Sequence, residues 1–128
     1  MNKLEKDSVV GISALLVHAA KIDELYSEHE KYLIKKFIKS YLEDDADKVL
    51  KKAEEVENNS NQLLNFTNII KQNSMEIKKD IIEHLWKVII SDNTVDQYES
   101  NLMRRICGLI YFPDKECAEI KLNLLNLK

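Results

Sequence analysis

The chain has 128 residues and 45% of them are hydrophobic, enough to fill a core and too many for a disordered chain. Only 2 Gly and 1 Pro occur, which excludes the turn-rich pattern of most strand-built folds and favours helices. With 19 Lys and Arg against 22 Asp and Glu the net charge is -3, which argues against a broad nucleic-acid-binding surface.

In chain order, the start from Met1 to Asp7 carries both signs of charge, and no small-residue cleavage site follows, so no secretory signal is expected. Helix 1 is predicted from about Lys6 to Ile22. Val9, Val10, Leu15, Leu16, Val17, Ala19 and Ala20 leave it little polar face, which predicts burial on nearly all sides. Helix 2 begins after Ser27, with Tyr32, Leu33, Phe37, Ile38 and Tyr41 or Leu42 inward at helical spacing. Asp44-Asp45-Ala46-Asp47 is an acidic turn that caps helix 3, about Asp47 to Glu57, with Val49, Leu50, Ala53 and Val56 inward. Asn58-Asn59-Ser60-Asn61 reads as a loop.

Helix 4 spans about Gln62 to Gln72, with Leu63, Leu64, Phe66, Ile69 and Ile70 inward. Ser74 caps helix 5, about Met75 to Ile90, a second central helix carrying Ile77, Ile81, Ile82, Leu85, Trp86, Val88 and Ile89. Helix 6 starts after Asp96, runs to about Tyr111 and stops before Pro113, because the residue ahead of a proline disfavours the helical well. Helix 7, about Asp114 to Asn126, turns Ala118, Ile120, Leu122, Leu124 and Leu125 inward. No linker divides the chain, so one all-α domain of about seven helices is expected over residues 1–128, its core at about 9–125. No run of about 18 uninterrupted apolar residues occurs, so no transmembrane helix is expected. A cytoplasmic location follows, with Cys107 and Cys117 reduced and serving as core thiols.

A shift of 69 residues, from Asp23 to Asp92, aligns two helix-loop-helix units. Leu16 falls on Leu85, Glu30 on Glu99, Leu33 on Leu102, and Ser27 on Asp96. Ser27-Glu28-His29-Glu30 has the form of a capping box, and Asp96-Gln97-Tyr98-Glu99 imitates it. Capping does not account for Asp23 and Asp92, which sit at helix C-termini where an anion is locally unfavourable. One reading is an Asx-type turn. The other is a divalent cation, Ca²⁺ foremost, held by loop carboxylates and carbonyls, since hard cations take oxygen ligands. The candidate ligands are Asp23, Glu30, Asp92 and Glu99, with Asp96 secondary. This is no EF-hand: the twelfth residue from Asp92 is Met103, and that from Asp23 is Ile34.

Nothing else carries a reaction. His18, His29 and His84 lack zinc-site spacing and read as core, boundary or exposed residues, and there is no glycine-rich phosphate loop. No enzyme is expected. Lys35, Lys36 and Lys39, with Arg104 and Arg105, read either as ordinary solvated cations or as a basic patch for an acidic protein or a lipid head group.

The paired loops and the helix layout resemble the tellurite resistance protein B (TerB) family, in particular its small stand-alone members. The motif carrying the resemblance is a helix ending in Ala-x-x-Asp, a short loop, and a Glu opening the next helix. It stands here as Ala20-Lys21-Ile22-Asp23 with Glu30, and as Ile89-Ile90-Ser91-Asp92 with Glu99. The stretch from Leu64 to Ile70 and Arg104-Arg105-Ile106 also fit, so the resemblance covers about Val9 to Leu125. The glycine that follows the Asp in the family is replaced by Glu24 and Asn93. The resemblance implies an all-helical fold, a divalent metal on the acidic loops, an association with stress phenotypes and a protein partner rather than a reaction.

Overall fold

The computed structural model describes residues 4–22, 26–60, 62–90 and 97–126. Among them are seven helices and no strand: α1 (Lys6–Ala20), α2 (Glu28–Tyr41), α3 (Ala46–Asn58), α4 (Leu64–Lys71), α5 (Met75–Ile90), α6 (Gln97–Ile110) and α7 (Asp114–Asn126). The all-α expectation holds. Every residue of α1 from Val9 to Ala20 is buried except His18. A helix that is apolar all round has to be covered all round, and α2, α3, α4 and α5 all pack on α1. The second central helix, α5, is covered by α1, α2 and α7, while α4 lies on α6 and α6 meets α7. None of the described helices is long and apolar enough to cross a membrane.

Local chemistry sets the helix ends. Ser27 and Glu30 form the expected capping box at the start of α2. Asp45 caps α3 by accepting from the Asp47 N–H at 3.0 Å, and Ser74 accepts from the Ile77 N–H at 3.3 Å to open α5. Helix α1 stops two residues before the predicted Ile22, as Lys21 and Ile22 tighten into bonds to the carbonyls of His18 and Ala19. At the end of α6 the terminator is Tyr111, which takes a left-handed φ of 60°. The Phe112 N–H then reaches the Cys107 carbonyl at 2.9 Å, closing a Schellman turn without a glycine. Pro113 follows that turn and does not create it.

Four expected inward residues point outward instead. Tyr32, Leu64 and Leu122 are 53%, 48% and 56% exposed, and Ala118 is exposed as well. Ile34, Thr67 and Cys117 occupy the buried positions on the same helices. Each displaced residue lies at the margin of a wide apolar stripe, where spacing fixes the period but not which edge meets the neighbour. Tyr32 is accommodated at the surface by stacking on His29, with the Lys36 ammonium 5.6 Å from its ring. Between α2 and α5 the Tyr41 hydroxyl donates to Asp80 Oδ2 at 2.6 Å, and Phe37 packs edge-on against His84.

Candidate functional site

Glu30 is the third residue of α2 and Glu99 the third of α6. Both are buried, at 6% and 4% exposure. Carboxylates are seldom buried without partners, because desolvation penalises the charge. Glu30 has such partners: its Oε1 accepts from the Ser27 N–H at 2.8 Å, and its own N–H donates to Ser27 Oγ at 3.1 Å. The positive end of the α2 dipole favours the same carboxylate. Of the other candidate ligands, Asp23, Asp92 and Asp96 lie outside the described residues. Among the described residues no group of three or more His, Cys, Asp and Glu side chains is placed to hold a metal ion.

The ground beside the first acidic loop is crowded with acids. Tyr26 donates its hydroxyl to Glu54 Oε2 at 2.7 Å, and the Lys31 ammonium lies 5.0 Å from its ring. The Tyr26 phenol is held well above its ordinary pKa, first by burial, then by the bond to Glu54 and the charges of Glu54, Glu30 and Glu28. Glu57 is partnered already, by Lys21 Nζ at 2.9 Å and His18 Nδ1 at 3.3 Å. An open depression of about 520 Å³ lies alongside, lined by Lys21, Tyr26, Lys31, Lys51, Glu54 and Glu55 among others.

The basic residues do not form one patch of a single sign. Lys35 pairs with Asp47 at 3.1 Å, and the depression it shares with Lys36 and Lys39 is also lined by Asp44, Asp45 and Asp47. His84 is satisfied within its helix, its Nδ1 lying 2.9 Å from the Asp80 carbonyl. Spacing did not reveal a cavity of about 570 Å³ between α1, α3 and α4, floored by Val10, Gly11, Val49, Phe66 and Ile69. Lys6 and Asp44 bridge its rim at 3.0 Å. Gly11 in its wall marks a close approach of α4 and not the opening itself, since a Cβ there would meet Ile69 Cδ1 at 2.4 Å.

Compared with known proteins, the family described as tellurite resistance protein TerB matches residues 10–122. No curated protein and no solved structure matches the chain.

Proposed function

The chain belongs to the TerB family, and from that premise we propose a non-catalytic, stress-related interaction module of the cytoplasm that binds a divalent cation, Ca²⁺ foremost, through its acidic loops. The reading takes the chain as one domain in which α1–α2 and α5–α6 are two copies of one unit. The observation that carries it is the burial of Glu30 and Glu99 at the same position, third in the helix after each acidic loop. Asp23 in one loop, and Asp92 and Asp96 in the other, would add the oxygen ligands that Ca²⁺ needs, with carbonyls and water completing the shell. The charges of Glu54, Glu30 and Glu28 around Tyr26 support a cation at the first loop. The bound ion would shape the surface offered to a protein partner.

One observation favours a second reading, a metal-independent scaffold. The capping box already engages Glu30. Thermal unfolding separates the two. The first reading expects Ca²⁺ to stabilise chelator-treated protein by mass action, by about 2.7 kcal/mol at one hundred times Kd. Asp92→Asn abolishes that gain. The second reading expects no ion dependence, and only the roughly 0.5–2 kcal/mol that a lost cap costs when Ser27 is replaced by Ala.

A further inference from the structure

We propose that the cavity between α1, α3 and α4 binds a small amphiphile, an alkyl chain with a single carboxylate head, the chain inside the cavity and the head at Lys48 and Lys52. Its volume of about 570 Å³ lies in the range of roughly 300–1,000 Å³ that takes small-molecule ligands. The walls offer such a ligand little but hydrocarbon: Val10, Val49 and Phe66 are buried, and Val56 and Ile69 are half-buried. The uncharged polar side chains of the lining, Ser60 and Asn65, satisfy each other, Asn65 Nδ2 donating to Ser60 Oγ at 2.8 Å. Water in such a space finds few of the roughly two to four polar partners it needs, so an apolar body replaces it favourably.

The rim selects the charge of the head. Each acid on it already has a local role. Asp44 pairs with Lys6 at 3.0 Å, and Asp45 accepts from the Asp47 N–H at the start of α3. Asp7 lies in the first turn of α1, where the helix dipole favours an anion. Lys48 and Lys52 are exposed and, among the described residues, take part in no ion pair. They stand one turn apart on the face of α3 that also carries Val49 and Val56. Their alkyl stems extend the apolar wall while their ammonium groups stay at the mouth. A carboxylate entering there meets two cations without displacing an existing tie, whereas a cationic head finds the acids already offset. The cavity shares no residue with the acidic loops, so this proposal stands or falls apart from the cation site.

The test is calorimetric titration of the full chain with sodium dodecanoate below its micelle concentration, with amide NMR to place the site. The expected result is saturable one-to-one binding, its amide shifts gathered at residues 6–11, 44–56 and 65–69. From octanoate to dodecanoate, each added methylene should tighten binding by up to roughly fourfold, the factor one buried CH₂ is worth. Dodecyltrimethylammonium should bind more weakly than dodecanoate. The double variant Lys48→Ala, Lys52→Ala changes only exposed side chains. It should lose that preference and roughly fivefold in affinity for dodecanoate, as exposed ion contacts are worth. Val56→Trp should fill the cavity and abolish binding with helical circular dichroism unchanged. Absence of saturable binding would overturn the proposal, as would equal affinity for the two head groups or amide shifts confined to other stretches. So would a different occupant of this face with dodecanoate left unbound, either a second copy in a concentration-dependent dimer or phosphatidylglycerol vesicles that sediment the protein.

Discussion

Helix α3 covers α1 and helix α7 covers α5, yet different groups fasten the two. Helix α3 buries a narrow strip, Ala46, Val49, Leu50 and Ala53, and surrounds it with polar ties. Glu57 takes Lys21 and His18, Glu54 takes the Tyr26 hydroxyl, Asp47 takes Lys35, and Asp44 just ahead of the helix takes Lys6. Helix α7 buries Cys117 and Ile120, and its specific ties run through sulfur and an indole ring: Trp86 donates to Cys117, and Lys121 faces the ring. Two helices in like positions therefore respond to different variables. Salt and alkali act on the ties of α3, while the Trp86–Cys117 bond of α7 is buried away from salt. In both, the apolar strip contributes most of the stability, because exposed ion pairs are worth little.

The largest expected effects test that last statement. Trp86→Ala on the α7 side should cost about 3–5 kcal/mol and Leu50→Ala on the α3 side about 2–5 kcal/mol in urea denaturation. A small loss in either would show that its cover is held by polar ties after all. Tyr26→Phe should cost about 1 kcal/mol by removing the bond to Glu54. It should also change the alkaline limb of stability. The Tyr26 phenol is raised above its ordinary value by burial and by Glu54, so the folded state keeps a proton that the unfolded chain releases near pH 10. Stability is complete below that pH and falls as pH rises through it. Melting temperatures from pH 8 to 11 should fall less steeply in the variant, and Tyr41, raised by burial and by Asp80, should leave a residual slope. The smallest effects belong to Lys6→Ala and Lys35→Ala, each within about 0.5 kcal/mol and vanishing in molar salt.

Much of the fold was legible because the apolar residues are numerous and the helix punctuation is explicit. The burial of α1 follows from its lack of a polar face, and Ser27, Asp45 and Ser74 cap as their residue types foretell. The errors share one cause. Tyr32, Leu64 and Leu122 have the right period but lie at the edge of their stripes, and period does not carry edge. The left-handed Tyr111 was invisible too, since no glycine marks it and Pro113 offered a simpler stop. The Trp86 bond to Cys117 left no pattern either: reading the cysteines as core thiols gives their burial but not that partner. For the acidic loops, the repeat of Asp and Glu predicted the candidate ligands. Of these only Glu30 and Glu99 fall among the described residues; both are buried, and the capping box accounts for Glu30.

The most direct test of the proposed cation site is an amide-shift NMR titration of chelator-treated protein with Ca²⁺, Mg²⁺, Mn²⁺ and Zn²⁺, with Asp92→Asn as the control. The account predicts saturable shifts across residues 23–30 and 92–99, strongest for Ca²⁺ and lost in the control. Amides in both stretches that stay unmoved at millimolar ion would contradict it and leave Glu30 and Glu99 as helix caps alone.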